Sequence, residues 1–311
     1  MALLIDIKQP EWMTDEHLRE TLLKVYPAGD IRCGAAPGNL DEIEMLVAST
    51  YLEGEALRYP NLKLIQKPGA GVETIIADQS IPKSVKVARI RSDTPAHQIA
   101  EYCLAGVLQE QRHLRQYRDS QALSHWQGIE PRQPGETTVA VLGLGQIGSV
   151  TASRFLANQF KVIGWSRSQK ELAGVDCYSG MEQLTDVLAL ADYVLSILPS
   201  TSDTRGLFHE KIFRCMKPGS VLINAGRGDL VNEVDLVAAL DDGKLAHAIL
   251  DVMQNEPLPA QSPMWLHPNI TLTPHISGWH LGDSINDIAE NFRRLENNES
   301  LLHLVDRQFG Y

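Results

Sequence analysis

The chain has 311 residues, of which 43% are apolar and 22% charged, and its formal net charge is -11 at pH 7. The length suits two domains with a sizeable core, and the apolar content argues against wholesale disorder. The acidic balance argues against a nucleic-acid partner or an anionic membrane surface, so any pocket for an anion must be made positive by individual arginines.

The first ninety or so residues alternate short apolar runs with amphipathic stretches. The runs LLIDI, IEMLVAS, LKLIQ and VKVARI predict strands, and DEHLRETLLKVY predicts a helix. This alternation predicts a small α/β domain with a parallel sheet. The turn Gly69–Val72 follows one of the strands and could present successive backbone N–H groups to an anion, although a plain tight turn is the alternative.

A long helical stretch and a second α/β series follow. Apolar residues at a spacing of four predict a helix from about Pro95 to Tyr117, capped by Asp93 or Thr94. After a polar linker, the second series begins at Thr137. Its runs TVAVLGLG, KVIGWSR, DYVLSILP, SVLINAG, HAILDV and NITLTP predict strands that are covered on both faces.

A last helix and a short tail end the chain, and the tail is too short to be a domain. We therefore expect the tail to pack on the first domain. The predicted organisation is a discontinuous substrate domain, residues 1–94 and 276–311, with an inserted cofactor domain, residues 95–275, and a cleft between them.

Three glycines follow the first predicted strand of the second series. Gly143, Gly145 and Gly148 have G-x-G-x-x-G spacing. They lie between a strand and a predicted helix from Gln146 to about Asn158, the context in which this spacing binds a dinucleotide. The first glycine permits the tight turn, the second lets the pyrophosphate approach, and the third allows close helix–strand packing. A glycine-rich turn without a ligand is the weaker alternative.

The end of the next predicted strand, VIGWSRSQK, bears on the choice between NAD and NADP. A carboxylate there would bind the ribose 2′-hydroxyl and repel a 2′-phosphate. This chain has Ser166 at that position, followed by Arg167, Ser168 and Lys170. A guanidinium and hydroxyls suit a phosphate, so we predict a preference for NADP(H), with NAD(H) as the second choice. The alternative is that Arg167 is a solvated loop residue.

Arg227, Glu256 and His275 each follow a later predicted strand, in the segments NAGRGDLVNE, LDVMQNEPLP and TLTPHISGWH. If these strands are parallel neighbours, the side chains emerge at the carboxyl edge of the sheet, where open α/β sheets bind ligands. Arg227 could grip a carboxylate and polarise a 2-oxo oxygen. His275 could donate a proton, and Glu256 could fix its tautomer. Each alone would more often be structural, but together they predict reduction of a 2-oxo acid.

Other residues carry weaker expectations. Asp251 ends the run HAILDV and could accept a hydrogen bond from the nicotinamide amide, with a structural role about equally favoured. His267, His275 and His280 match no common zinc spacing, and the cysteines contain no CxxC pair, so we predict no metal. Reduced thiols, the lack of a signal peptide and the lack of an apolar run of about 20 residues predict a cytoplasmic protein.

These motifs together resemble a known family. The chain is similar, over essentially its whole length, to the D-isomer-specific 2-hydroxyacid dehydrogenases, through GAGV at 69–72, LGLGQIG at 142–148, NAGRGDLVNE, DVMQNEPLP and TPH at 273–275. It looks most like the bacterial NADPH-dependent glyoxylate/hydroxypyruvate reductases. That branch shares HWQ at 125–127, the WSR after the second cofactor strand, and SPMWLHPNITLTPH at 262–275.

The resemblance implies a role for each motif. It implies that Arg227 binds the substrate, that His275 is the acid–base residue and that Glu256 is its partner. The implied substrate-binding residues are Ala70, Gly71, Val72, Arg227 and His275. The expected cofactor-binding residues are Gly143, Gly145, Gln146, Ile147, Gly148, Ser166, Arg167, Ser168, Pro199, Ala225 and Asp251.

We therefore predict NADPH-dependent reduction of a small 2-oxo acid, of the glyoxylate or hydroxypyruvate type, to the D-2-hydroxy acid. The predicted fold is a Rossmann-type doubly wound cofactor domain inserted in a smaller flavodoxin-like α/β domain. A reductase of bulkier acids such as phenylpyruvate and a non-catalytic NAD(P)H-sensing binding protein are the alternatives. The resemblance also implies a homodimer in which Trp126 reaches toward the partner's active site. Trp279 and His280 depart from the family pattern and bear on the size of the substrate.

Overall fold

The computed structural model describes residues 1–91 and 93–307, which divide into two compact units. The first unit comprises Met1–Thr94 and the described residues from His280 onward, and the second comprises Pro95–Trp279. Residues 276–279, expected in the substrate domain, thus lie in the second unit. The physical reason is that the backbone N–H groups of Ile276 and Ser277 bond to the carboxylate of Asp251.

The first unit is built on a parallel five-stranded sheet of order β2-β1-β3-β4-β5. Its strands are β1 (Ala2–Asp6), β2 (Ile31–Cys33), β3 (Ile43–Ala48), β4 (Leu64–Lys67) and β5 (Lys86–Arg89). Its helices are α1 (Asp15–Val25), α2 (Glu73–Ala77) and the C-terminal helix (Ser284–Glu296). This strand order is that of the flavodoxin-like doubly wound sheet.

The apolar runs of the first unit are long because both faces of the sheet are covered. Successive strand residues point to opposite faces. Leu3 and Ile5 of β1 are buried with Phe292 of the C-terminal helix, whereas Leu4 is buried with Ile65 in a separate cluster. The tail after the C-terminal helix packs on this unit as expected, since the Val305 N–H donates to the carbonyl of Val87 at 2.8 Å.

The second unit is a parallel seven-stranded sheet of order β12-β11-β10-β9-β6-β7-β8. Its helices are α3 (Asp93–Gln111), α4 (Leu114–Ala122), α5 (Gln146–Ala157), α6 (Leu184–Leu190), α7 (Glu210–Cys215) and α8 (Glu233–Asp241). Its strands are β6 (Thr138–Leu142), β7 (Lys161–Ser166), β8 (Asp176–Ser179), β9 (Tyr193–Ser196), β10 (Ser220–Asn224), β11 (Leu245–Leu250) and β12 (Ile270–Leu272).

The order of this sheet reads outward in both directions from β6, as in Rossmann dinucleotide-binding domains. The chain first adds β7 and β8 on one side of β6 and then β9 to β12 on the other. The direction of winding therefore reverses between β6 and β9, and open α/β sheets bind ligands at such a point. The predicted fold class is confirmed.

Two details of the secondary structure differ from the prediction. The helix expected from about Pro95 to Tyr117 is broken, because His113 adopts a left-handed conformation with φ of 56° between α3 and α4. The helix begins at Asp93, so the predicted capping residues Asp93 and Thr94 lie in its first turn. The short strands β2 and β8 are additional to the predicted ones. Among the described residues, no helix has both the length and the apolar character that crossing a membrane requires.

Candidate active site

The glycine loop connects the end of β6 to the start of α5. Gly143 has a φ of 103°, and a Cβ added there would lie 2.8 Å from the carbonyl oxygen of Ile197. A Cβ on Gly148 would overlap the carbonyl oxygen of Gly143, so only glycine lets α5 pack this closely on the turn. A Cβ on Gly145 would meet nothing within 4 Å, which leaves its backbone open to a ligand. The loop has the three features that a pyrophosphate site needs.

The residues expected to hold the cofactor surround this loop along the carboxyl edge of the same sheet. Gln146 and Ile147 form the first turn of α5, where helix N–H groups are available to an anion. Pro199 follows β9 and Ala225 follows β10. A Cβ on Gly226 would lie 2.7 Å from the carbonyl oxygen of Leu198, so the turns after β9 and β10 pack closely together.

The end of β7 carries a hydroxyl where NAD-binding domains have an acid. Ser166 is buried, and its Oγ donates to the carbonyl oxygen of Ser168 at 2.7 Å. This bond folds the chain back after the strand. Arg167 and Ser168 are both exposed at the resulting turn.

Three neighbouring strands end level with one another and carry the predicted catalytic residues. Asn224 at the end of β10 pairs with Leu250 at the end of β11, which pairs with Leu272 at the end of β12. Arg227, Glu256 and His275 lie in the three turns that follow these ends. The structure thus brings the three residues to one edge of the sheet, as the sequence predicts.

The turn that holds Arg227 packs directly on the turn after β11. A Cβ on Gly228 would overlap the backbone of Met253, so this approach requires glycine. The side chain of Asn224 fixes the turn, since its Nδ2 donates to the carbonyl of Arg227 at 2.9 Å and its Oδ1 accepts from the N–H of Gly226. The guanidinium of Arg227 donates to the carbonyl of Gly226 at 2.7 Å.

Glu256 and His275 form a hydrogen-bonded pair. Nδ1 of His275 lies 2.8 Å from Oε2 of Glu256, and the other carboxylate oxygen accepts from the backbone N–H of Met253 at 3.0 Å. Burial alone would raise the pKa of Glu256, but His275, the Met253 N–H and the charge of Arg227 together outweigh burial and lower it. An ionised Glu256 holds the Nδ1 proton, which leaves Nε2 of the half-exposed imidazole for a substrate.

Asp251 organises the loop that carries His275. Its side chain is fully buried at the end of β11 and accepts from the Oγ1 of Thr273 at 2.7 Å and from the N–H groups of Ile276 and Ser277 at 2.8 and 2.9 Å. Its carbonyl oxygen accepts from the N–H of His275 at 2.8 Å. The sequence predicted either a nicotinamide contact or a structural role for Asp251, and these hydrogen bonds give it a structural one. The particular donors that converge on Asp251 were not predicted, and the nicotinamide contact stays a prediction.

The turn after β4, considered within the first unit, has features of an anion site. The carbonyl oxygen of Gly69 accepts from the N–H of Ile90 at 3.3 Å, and that of Ala70 accepts from Nη1 of Arg89 at 3.2 Å. Among the described residues, the N–H groups from Ala70 to Val72 have no hydrogen-bond acceptor. With the carbonyl oxygens of Gly69 and Ala70 held in this way, the successive N–H groups of the turn are available to an anion.

The tryptophans and the histidine with open roles lie at the surface or near it. Trp126 is fully exposed, in the segment after α4. Trp279 is half-buried and His280 is exposed. Their contributions to a substrate site stay predictions.

Known proteins with the same fold and motifs place the chain in a family. Residues 104–277 match the family described as D-isomer specific 2-hydroxyacid dehydrogenase, NAD binding domain. The glyoxylate/hydroxypyruvate reductase A of Serratia proteamaculans is 36% identical over 256 residues, which are 80% of this chain and 82% of that protein.

Solved structures agree with this match. A D-isomer specific 2-hydroxyacid dehydrogenase from Xanthobacter autotrophicus, in complex with NADPH and MES, superposes with a TM-score of 0.92 at 34% identity, covering 100% of this chain and 99% of the other. An NADPH-dependent glyoxylate/hydroxypyruvate reductase from Sinorhizobium meliloti, in complex with NADP and sulfate, gives a TM-score of 0.91 at 29% identity and covers 100% of both chains.

The Rossmann sheet, its glycine loop and the family match define an NAD(P)-dependent dehydrogenase. More narrowly, the chain belongs to the D-isomer specific 2-hydroxyacid dehydrogenases. The family and the enzyme class predicted from the sequence are confirmed.

Proposed function

We propose that this protein reduces a small 2-oxo acid to the D-2-hydroxy acid with NADPH, and that glyoxylate and hydroxypyruvate are its leading substrates. The observation that carries the proposal is the His275–Glu256 pair, with Nδ1 and Oε2 2.8 Å apart, beside Arg227 at the edge of a dinucleotide-binding sheet. The relatives from Serratia and Sinorhizobium, both glyoxylate/hydroxypyruvate reductases, support the choice of substrate.

The residues of the second unit fit a dinucleotide. Gly145 leaves room for the pyrophosphate, and Gly148 allows the helix to present its N–H groups. Ser166, Arg167 and Ser168 would hold the 2′-phosphate, and NADPH and NADP in the Xanthobacter and Sinorhizobium structures support this choice. Bound NADPH supplies a hydride to the 2-carbon of the oxo acid.

His275 supplies the proton of the reaction. As an imidazolium, it donates from Nε2 to the 2-oxo oxygen, which becomes the hydroxyl of the product. Glu256 keeps Nδ1 protonated and thereby favours the charged ring. Hydride and proton together account for the two hydrogens that the product gains.

Arg227 binds and polarises the substrate. A guanidinium can hold a carboxylate with two parallel hydrogen bonds and stabilise negative charge on the 2-oxo oxygen. Within the first unit, the backbone N–H groups of Ala70, Gly71 and Val72 would suit an anionic group, as their lack of acceptors among the described residues supports. The homodimer implied by the resemblance and the cytoplasmic location expected from the cysteines and the N-terminal sequence stay predictions.

The test is a steady-state panel of glyoxylate, hydroxypyruvate, pyruvate and phenylpyruvate with NADPH and NADH side by side. We expect the highest kcat/KM for glyoxylate or hydroxypyruvate, with NADPH as the cofactor. His275→Asn should abolish most of the turnover, whereas the matched control His209→Asn should not. A preference for phenylpyruvate would favour the reductase of bulkier acids, and tight cofactor binding without turnover would favour a sensing protein.

The cofactor preference has its own test. Arg167→Asp should weaken NADPH binding and leave NADH binding equal or improved, because it replaces a phosphate ligand by an acid that suits a free 2′-hydroxyl. An unchanged NADPH affinity in this variant, measured by fluorescence titration, would refute the assignment of the 2′-phosphate site.

A further inference from the structure

Tyr102 and Thr273 form a chain of hydroxyl groups that ends on the buried carboxylate of Asp251. Tyr102 lies on α3, and Thr273 directly follows β12. The hydroxyl oxygen of Tyr102 is 2.8 Å from Oγ1 of Thr273, which is 2.7 Å from Oδ1 of Asp251. Neither hydroxyl has a part in the proton transfer proposed above.

The chemistry of the three groups fixes the direction of both hydrogen bonds. A carboxylate only accepts, so the hydroxyl of Thr273 donates to Asp251. That hydroxyl has a single hydrogen, so its oxygen must accept from Tyr102. Burial raises the pKa of Tyr102, which keeps its hydroxyl protonated as the donor. Hydrogen bonds that point the same way along a chain strengthen one another.

Asp251 in turn holds the backbone on both sides of the catalytic imidazole. His275 has a φ of 56°, in the left-handed region that residues other than glycine seldom adopt. Such a conformation persists only where its surroundings hold it. The carbonyl oxygen of Asp251 accepts from the N–H of His275, and its carboxylate accepts from the N–H groups of Ile276 and Ser277.

We propose that Tyr102 and Thr273 are positioning residues for His275, acting through Asp251. The chain of hydroxyls fixes the carboxylate around which the loop turns, and the loop fixes the imidazole against Glu256. The effect on turnover rests on the proposed function, because it assumes that His275 transfers the proton.

The test compares four variants by steady-state kinetics with NADPH. Thr273→Val should lower kcat about tenfold, the order expected for losing a hydrogen bond to a charged group. Tyr102→Phe should lower kcat about threefold, since it removes a neutral bond one step further away. KM should change less than about twofold, because neither side chain touches the substrate. Thr273→Ser keeps the hydroxyl and should restore most of the rate.

The double variant tests the order of the chain. Because Tyr102 acts only through the hydroxyl of Thr273, Tyr102→Phe should have no further effect on kcat in the Thr273→Val background. Additive losses, an equal loss in Thr273→Ser and Thr273→Val, or an unchanged kcat in both single variants would each overturn the proposal. Circular dichroism and Tm measurements show whether Thr273→Val has lost its fold. If it has, the kcat values of Tyr102→Phe and Thr273→Ser decide whether the proposal holds.

Two other hydroxyls of the second unit serve as matched controls. Thr271 lies on β12, and its Oγ1 is 2.9 Å from Nε2 of the buried His247. The hydroxyl of Tyr193 lies 3.4 Å from Oε1 of Gln111. Thr271→Val and Tyr193→Phe remove the same hydroxyl groups from positions whose bonds do not lead to Asp251, so they should leave kcat unchanged.

A failure of the proposed function is distinguishable from a failure of this inference. A wild-type enzyme that reduces none of the 2-oxo acids would contradict the function alone. The imidazole proton signals of His275, identified by comparison with His275→Asn in NMR spectra, then report on the loop. They should shift in Thr273→Val and Tyr102→Phe but not in the two controls, and unshifted signals in all four would overturn the inference.

Discussion

Replacing Glu256 by glutamine removes one charge from the proposed catalytic pair of Glu256 and His275 and nearly keeps the shape of the side chain. In the wild type, Oε2 of Glu256 lies 2.8 Å from Nδ1 of His275, and the other oxygen is anchored by the N–H of Met253. The amide oxygen of glutamine can accept from Nδ1 in the same place, but its NH2 group then faces the N–H of Met253, which loses its acceptor. Glu256→Gln therefore removes the charge together with one backbone hydrogen bond.

The expected size of the effect follows from this distance. The side chains of His275 and Glu256 are 52% and 36% exposed, so we take the attraction as fully screened by water. Two unit charges 2.8 Å apart then interact with about 1.5 kcal/mol, which corresponds to about a tenfold change in rate. The carboxylate stabilises the positive charge of a proton-donating ring, and a neutral amide does not.

The assay is kcat/KM for reduction of the best 2-oxo acid with NADPH. Glu256→Gln should lower kcat/KM at least about tenfold, because the charge that stabilises the proton-donating ring is lost. Glu210→Gln removes an exposed acid of the same unit and should leave kcat/KM unchanged. An unchanged kcat/KM in Glu256→Gln would refute the charge coupling.

Three further predictions follow from the geometry. Arg227→Ala should lower kcat/KM about 10- to 100-fold and raise KM, because it removes charged hydrogen bonds to the substrate; a steady-state assay measures both. Gly148→Ala should raise the Kd for NADPH at least about tenfold, since its Cβ overlaps the backbone of the glycine loop, whereas Gly135→Ala adds a methyl in open space and should not. Burial by itself would raise the pKa of Asp78. Hydrogen bonds from Ser80, Gly54 and Tyr51 outweigh burial and lower this pKa from 3.8 to about 2. Its stabilisation is therefore present above pH 3.8 and lost as the pH falls through about 2, and Asp78→Asn should lower the free energy of unfolding at pH 7 by about 2 kcal/mol in urea denaturation.

Most of the fold could be predicted from the sequence because buried parallel strands leave near-continuous apolar runs. The run TVAVLGLG became β6, and its glycines became the turn into α5. The strands that were missed, β2 and β8, are edge strands with only three and four residues, IRC and DCYS. Strands this short hold too few apolar residues to form a recognisable run. The break at His113 was not predictable from the sequence, because no glycine or proline marks it.

The candidate site was predictable where the residue type itself indicates the chemistry. An arginine between glycines, a histidine after TP and a glutamate in NEPLP point to strand ends, and the structure has them there. The role of Asp251 in the loop was not predictable, because it depends on a left-handed His275 that no glycine signals. The sequence gives the carboxylate but not the three hydrogen-bond donors that converge on it.

The way these side chains are held explains how a surface pair can be catalytically useful. His275 is half exposed, and an exposed ion pair by itself contributes little and holds its geometry poorly. Here contacts with the backbone fix the pair of His275 and Glu256. Gly228 lets the Arg227 turn rest on Met253, the N–H of Met253 anchors Glu256, and Asp251 anchors the loop of His275. In the proposed reaction, the imidazole would therefore meet the substrate already oriented, with little reorganisation left for the proton transfer.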